Sequence, residues 1–220
     1  MLLAIDTSTN DSGVALHDGT NVLAECAWSS GRRHAEQVMP VIDLLLRNLD
    51  ATPADLAAVT IATGPGSWSG LRVGMSLAKA IAMSRDLPIV GIMTLDVLAY
   101  AHRNRKGYIV PMVRLGRDRY GAAVYRSDPT WQRASEIGNL SLEELPDLID
   151  AALFCGDVDQ AAHVLLTERL GDHAMFATGS ENIRRPSVLA ELAWQRLHAG
   201  DTDDLIGLEP LYLGSPVKNR

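Results

Sequence analysis

Two short segments carry the groups most able to meet a phosphate or a metal ion. The first is Asp6-Thr7-Ser8-Thr9-Asn10-Asp11-Ser12-Gly13, which follows the apolar run from Leu2. A carboxylate followed by hydroxyls in a hairpin can approach a nucleotide phosphate and its magnesium ion, and the N–H groups of the turn supply anion contacts. The commoner use of such residues is structural, because Asx and Ser/Thr side chains satisfy their own backbone in turns. The second segment is Thr63-Gly64-Pro65-Gly66-Ser67-Trp68-Ser69-Gly70-Leu71-Arg72. Its glycines allow a tight passage from strand to helix. Ser67 or Ser69 can cap the helix that follows, and a helix N-terminus favours anions.

Neither segment matches a familiar catalytic loop. No Lys-Ser/Thr pair follows the glycines, as a Walker loop requires. The run Gly66-Ser67-Trp68-Ser69-Gly70 places a tryptophan where a nucleophile elbow needs serine. His34 has Gln37 and Val38 one turn on, and His102, His163, His173 and His198 are scattered, so no HxxxH or HExxH spacing points to a metal. Cys155 sits in an apolar stretch and reads as an inert core thiol. Cys26 and Cys155 form no disulfide framework, which fits a reducing compartment. Arg114, Arg117, Arg119 and Arg126 form a basic stretch, either a solvated strand edge or a contact for an acidic partner or RNA.

The elements that must hold these groups follow from periodicity. Leu2 to Asp6, Gly13 to His17 and Asn21 to Trp28 read as three consecutive antiparallel strands, the last two joined at Asp18-Gly19. A helix spans roughly Arg33 to Leu49, with Val38, Ile42, Leu45 and Leu46 at helical spacing. A strand from Leu56 to Thr63, a helix to about Arg85, a strand from Leu87 to Thr94 and a short helix to Asn104 complete the first half. The second half predicts strands over Tyr108–Arg114, Arg119–Arg126 and Trp131–Ile137, then a helix over Leu142–Ala152. A short strand at Leu153–Cys155, a helix over Ala161–Leu170, an extended Ala174–Thr178 and a helix over Ser187–His198 follow. The βββαβα-β order, duplicated and eroded in the second half, predicts two α/β lobes facing a cleft. The expected division is residues 1–104, with 187–213 packing back on them, against a reduced lobe over 105–186.

The helix after the glycine loop carries Gly70, Gly74, Ala78 and Ala82 at i, i+4 spacing, flanked by further apolar residues. The apolar arc exceeds what a surface helix needs. Either the arc is buried within the chain, or part of it serves a partner protein.

The chain carries a formal net charge of -7, with 47% hydrophobic and 21% charged residues. The charge balance disfavours strong independent binding to nucleic acid, and the hydrophobic content speaks against disorder. The apolar N-terminal run is short for a signal peptide and lacks preceding basic residues. A cytoplasmic protein is expected.

These residues together resemble the TsaB (YeaZ) family. Leu3-Ala4-Ile5-Asp6-Thr7-Ser8-Thr9 is similar to the family opening. His34-Ala35-Glu36 with Met39-Pro40 is similar to its first-helix motif. Thr63 to Gly74 resembles its Gly-Pro-Gly-Ser-Phe-Thr-Gly-Leu-Arg-Ile-Gly signature, and Pro210-Leu211-Tyr212-Leu213 a common ending. The resemblance implies an actin-like α/β fold with ribonuclease H-like lobes and a shortened second lobe. It implies a non-catalytic dimerization subunit in making the tRNA nucleoside threonylcarbamoyladenosine, beside the catalytic subunit TsaD and the ATPase TsaE. Homodimers when alone, only indirect contact with tRNA and no membrane partner go with that role. The pairing surface implied comprises His34, Val38 and Ile42 of the first helix with Gly70, Arg72, Val73, Gly74, Leu77, Ala78 and Ile81 of the next. Asp6, Thr7, Ser8, Thr9, Gly64, Gly66 and Ser67 would be a vestigial phosphate site.

The chain departs from the family pattern where Arg114-Leu115-Gly116-Arg117 replaces a common Asp-Ala-Arg-Arg. The paired histidines of TsaD relatives are also missing. No catalytic residue, metal or cofactor is therefore expected, with ATP and magnesium binding weak or absent. An active small ATPase or kinase of the same fold and a glycoprotease-like hydrolase are the alternatives.

Overall fold

A computed structural model of the chain describes residues 1–116 and 118–213. They divide into two compact units. One comprises Met1–Val97 and Arg184–Leu211; the other begins at Leu98, runs to Ile183 and, of the described residues beyond, takes up Tyr212 and Leu213. The division falls inside a helix rather than at the expected polar linker of residues 104–107, and Tyr212 and Leu213 leave the first unit. Asn139 Nδ2 donates to the Leu213 carbonyl at 2.5 Å, which ties that tail to the second unit.

The first unit is built on a five-stranded sheet. Its strands are β1 (Leu2–Asp6), β2 (Asp11–His17), β3 (Val22–Ser29), β4 (Ala58–Ala62) and β5 (Ile89–Ile92), in the order β3-β2-β1-β4-β5. β1 pairs antiparallel with β2 and parallel with β4, so it lies at the centre and is buried along its length. That placement explains its unbroken Leu-Leu-Ala-Ile run, since a strand covered on both faces has no polar side. Leu3 and Ile5 join the core that includes Val38 and Ile42 of α1 (His34–Asn48) and Met75 and Ala78 of α2 (Trp68–Arg85). Leu2 and Ala4 point to the other face by strand alternation. There α5 (Pro186–His198) packs on β1, β2 and β5.

Both helices of the first face carry local signals. Ser67 caps α2 by accepting from Gly70 N, and Asp86 ends the helix in the left-handed region at φ 52°. Pro40 lies within α1, beyond its first turn. It withholds one helical donor, at a position where the helix faces water.

The second unit also holds a central mixed sheet. Strands β10 (Gly138–Ser141), β7 (Arg119–Ala122), β6 (Tyr108–Gly116), β11 (Ala152–Gly156) and β12 (Ala174–Phe176) follow in that order; β8 (Tyr125–Arg126) and β9 (Gln132–Arg133) extend it. α4 (Gln160–Leu170) covers a core of Val110, Met112, Tyr120, Phe154, Ala162 and Leu166. α3 (Thr94–Tyr100) spans the division between the units.

Three expectations fail in this unit. Arg119–Arg126 is not one strand: the Val124 carbonyl accepts from Ala134 N and the Val124 N–H donates to Ser135 Oγ, which diverts the backbone between β7 and β8. The third strand is not Trp131–Ile137 but the short β9 and a separate β10. The helix over Leu142–Ala152 is a single 3-10 turn at Leu145–Leu148, followed by an extended Ile149 (φ -167°, ψ 146°), and Ala152 already belongs to β11. Pro146 suits the first positions of a helical turn but not the interior of a long helix. The tail at Leu208–Leu213 forms no regular element.

Candidate functional site

The first unit brings its two candidate segments together. The glycine loop between β4 and α2 lies against the β1–β2 turn, and the Ser67 N–H donates to the Ser8 carbonyl at 2.6 Å. Thr7 Oγ1 donates to the Gly70 carbonyl at 2.8 Å. A Cβ on Gly66 would overlap the Ser8 carbonyl oxygen, and one on Gly70 the Thr7 carbonyl oxygen. A Cβ on Gly74 would overlap Thr7 Oγ1 and stand 2.9 Å from Ile61 Cδ1. Gly64, at φ +107° with a cis bond to Pro65, faces the Leu211 carbonyl, 2.8 Å from where its Cβ would stand. The Leu211 N–H donates to Thr63 O at 2.7 Å, so the chain tail closes over the loop.

Gly70 and Gly74 of the small-residue row on α2 therefore seat the chain's own turn, while Ala78 and Ala82 join the core. Gly70, Gly74 and Ala78, expected on a pairing surface, are buried within the chain. His34, Val38 and Ile42 are likewise buried within the chain, as residues of its own core and turn region. A side chain already enclosed offers no area to a partner. Of the implied pairing residues, Arg72 is exposed and Val73, Leu77 and Ile81 are half-buried.

Asp6 is the only carboxylate among the seven residues of the implied phosphate site; one of its oxygens is hydrogen-bonded and the other faces a cation. Oδ1 accepts from Ser8 N at 2.8 Å and from Ser8 Oγ at 2.6 Å. Oδ2 lies 3.7 Å from Arg184 Nε, and the two side chains are 5% and 6% exposed. Arg184 also donates to Thr9 Oγ1 and stands 3.4 Å from Asp11 Oδ2. Thr7, Ser8 and Thr9 are buried with Asp6. Arg184 carries no local signal in the sequence; it stands 178 positions from Asp6 by their numbers, in a run of two arginines ahead of the proline that starts α5.

His34 completes this cluster. Its Nδ1 is 2.8 Å from Ser12 Oγ on β2, and its Nε2 lies beside Gly70 in the first turn of α2. Burial pulls the imidazole below its ordinary value; Asp6 and Asp11 pull the other way and lose.

The second unit gathers a different set of charges. The Arg114 guanidinium contacts Asp159 and lies 3.1 Å from Asp118. Its backbone N–H donates to Asp157 Oδ2 at 3.0 Å. Asp159 caps α4 through Ala162 N at 2.9 Å and accepts from Tyr120 OH at 2.7 Å. Burial and the Asp159 carboxylate raise the Tyr120 phenol well above its ordinary value. Arg119 bonds Asn139 and lies 3.6 Å from Glu144. Arg114 and Arg119 thus face acids or amides of their own unit, while Arg117 lies outside the described residues. Cys155 is wholly buried, its thiol pushed up to about 12, in keeping with an inert core residue. Among the described residues no group of three or more His, Cys, Asp or Glu side chains could hold a metal ion. No helix among them is long and apolar enough to cross a membrane.

The outer faces of α1 and α2 expose large apolar side chains. Met39 and Leu44 on α1 and Trp68 and Met83 on α2 are 46%, 54%, 59% and 65% exposed. The Arg72 guanidinium lies 4.5 Å over the Trp68 ring.

A sheet of three antiparallel strands followed by parallel ones, covered by helices and repeated in reduced form, defines the actin-like α/β fold. A solved structure titled "YeaZ from Pseudomonas aeruginosa" aligns with a TM-score of 0.81 at 22% identity, covering 96% of this chain and 99% of that one. The ethanolamine utilization protein EutJ from Carboxydothermus hydrogenoformans aligns at 0.53 with 12% identity, over 86% and 88%. The family described as "TsaD: tRNA N6-adenosine threonylcarbamoyltransferase" matches residues 22–136. The tRNA threonylcarbamoyladenosine biosynthesis protein TsaB of Bacillus subtilis is 32% identical over 96% of this chain and 93% of its own length. This chain belongs to the TsaB family, which shares its domain with the TsaD transferases.

Proposed function

We propose that the protein is a non-catalytic subunit in threonylcarbamoyladenosine biosynthesis, pairing with a TsaD-type transferase and working beside a TsaE-type ATPase. The observation that carries this reading is the relative named as a threonylcarbamoyladenosine biosynthesis protein, matched over nearly the full length of both chains. The chemistry of the site agrees with a supporting role. A catalytic ATPase keeps a carboxylate available for metal or water, whereas here the Asp6 carboxylate is occupied by Ser8 and Arg184. Nucleotide binding is accordingly weak or absent, no cofactor is needed, and tRNA is met through the assembly. The protein works in the cytoplasm and pairs with itself when alone.

The pairing surface in this proposal moves outward from the buried glycine row to the exposed faces of α1 and α2. Met39, Leu44, Trp68 and Met83 supply the apolar area, with Arg72, Val73, Leu77 and Ile81 beside them. Co-purification of the chain with the TsaD protein of the same organism tests it. Leu44→Asp and Trp68→Asp should each weaken capture at least tenfold while leaving the Tm within a few degrees, since burying one unpaired carboxylate costs more than about 1.4 kcal/mol. Capture unchanged in both variants would sink the surface. Unchanged threonylcarbamoyladenosine in tRNA from cells depleted of the protein would sink the function.

A further inference from the structure

We propose that Arg184 is a built-in cation that seals the β1–β2 turn against divalent metal, and that removing it turns the Asp6 turn into a metal-responsive site. The inference rests on the reading that nucleotide and magnesium bind weakly or not at all. It adds the cause.

The cluster consists of Asp6, Thr9, Asp11 and one guanidinium. Arg184 stands within ion-pair distance of both carboxylates, at 3.7 Å from Asp6 Oδ2 and 3.4 Å from Asp11 Oδ2, and it donates to the Thr9 hydroxyl. Two acids and a hydroxyl oxygen are hard oxygen donors of the kind magnesium and calcium take. Here they converge on a cation that the chain supplies itself. The Arg184 side chain is 6% exposed, so it is largely shielded from water. Oδ1 of Asp6 is turned away into Ser8. Only Oδ2 is directed at the cation position, and a guanidinium occupies that position. A metal ion would have to displace a buried guanidinium from the Asp6 and Asp11 carboxylates, and breaking such an enclosed pair is costly.

The arginine also has a second task that a metal could not share. It opens the segment Arg184–Leu211, which returns to the first unit, and the next residue, Arg185, pairs with Glu25 on β3 at 2.7 Å. Charge compensation at the Asp6 turn is thus covalently joined to the return of that segment. A mobile ion would neutralise the turn without tethering anything.

The test compares the full chain with Arg184→Gln, which keeps much of the side-chain volume, and with the double variant Asp6→Asn/Arg184→Gln. Each is titrated with magnesium chloride alone at constant ionic strength, by calorimetry and by Tm. Wild type should show neither binding heat nor a Tm shift. Arg184→Gln should start with a lower Tm, bind magnesium, and regain about 3 °C or more once the ion stands about tenfold above its Kd. The double variant should lose that response. If Arg184→Gln folds and ignores magnesium, the proposal is overturned. If it does not fold unaided, refolding it in magnesium decides the matter: recovery of soluble protein supports the seal, and failure to recover overturns it. ATP with magnesium on wild type is a separate arm. Binding there defeats the reading of weak nucleotide binding, whereas the seal is judged by whether the variant binds magnesium more tightly than wild type.

Discussion

Each unit neutralises its carboxylates with an arginine, but the two solutions differ in depth. In the first, Arg184 and Asp6 are both almost fully enclosed. In the second, Arg114 is 44% exposed and its partners Asp118 and Asp159 are 81% and 29% exposed. An enclosed pair is costly to break, because the survivor keeps its charge away from water. A pair in contact with water is worth little, since solvent screens it and takes over when one partner leaves. The first unit is accordingly the rigid part of the molecule's design and the second the tolerant part. The same contrast holds for glycines. Gly66 and Gly70 are pressed against backbone carbonyls, whereas Gly116 has a left-handed φ of +85° and nothing within 4 Å of the space a Cβ would fill.

The largest expected effect tests the glycine contrast. Gly66→Ala should cost about 3 kcal/mol or more, because a backbone carbonyl must move, and should show as a large fall in Tm or loss of soluble protein. Gly116→Ala should cost only about 1–2 kcal/mol, the price of a left-handed alanine. Equal losses would erase the distinction. Next comes the arginine contrast. Asp6→Asn should destabilise by about 3 kcal/mol, because Arg184 loses its enclosed acidic partner and keeps Asp11, whose side chain is 58% exposed, and Arg114→Ala by about 1 kcal/mol or less. At roughly 2–4 °C per kcal/mol for a chain of this size, thermal melts separate the two.

The smallest effect is a pH dependence. Burial lowers the His34 imidazole in the folded chain from its ordinary 6.5. The unfolded chain then takes up a proton near pH 6.5 that the folded chain accepts only at lower pH. The contribution of His34 is therefore complete above pH 6.5 and shrinks as pH falls from there to the folded pKa. His102 in the second unit is lowered too, by burial and by Arg105, and adds in the same direction. His34→Gln should make the loss of Tm between about pH 6.5 and pH 5 shallower while leaving the His102 share. A slope unchanged by the substitution would show that His34 carries none of it.

Much of the first unit was legible in the sequence because its order is set by local patterns. The three opening strands, α1, β4 and α2 announce themselves through apolar runs, a hairpin turn and helical spacing. The region from Arg119 to Ala152 did not, because its strand breaks depend on who pairs with whom. Nothing local to Val124 says that Ser135 will claim its N–H. The site divided in the same way. Its turn and its glycine loop were visible as motifs. Arg184 was not, since its role comes from a contact across nearly the whole chain. The spacing of Gly70, Gly74 and Ala78 correctly put them on one face, but spacing alone does not say what that face meets. Here Thr7 of the same chain packs against Gly70 and Gly74, and the core takes Ala78.

The discontinuity of the first unit also sets an order of events during synthesis. Leu2 and Ala4 of β1 are covered by α5, and the Thr63–Gly64 corner by the strap around Leu211. A ribosome delivers the opening sheet long before residues 184–211, so one face of that sheet must wait, uncovered, while the whole second unit is made. The second unit's stretch from Leu98 to Ile183 is continuous and can gather its core as it emerges. A nascent chain therefore carries an uncovered apolar sheet face while residues 98–183 are made, and the interval in which that face can aggregate or engage a chaperone ends only when α5 arrives.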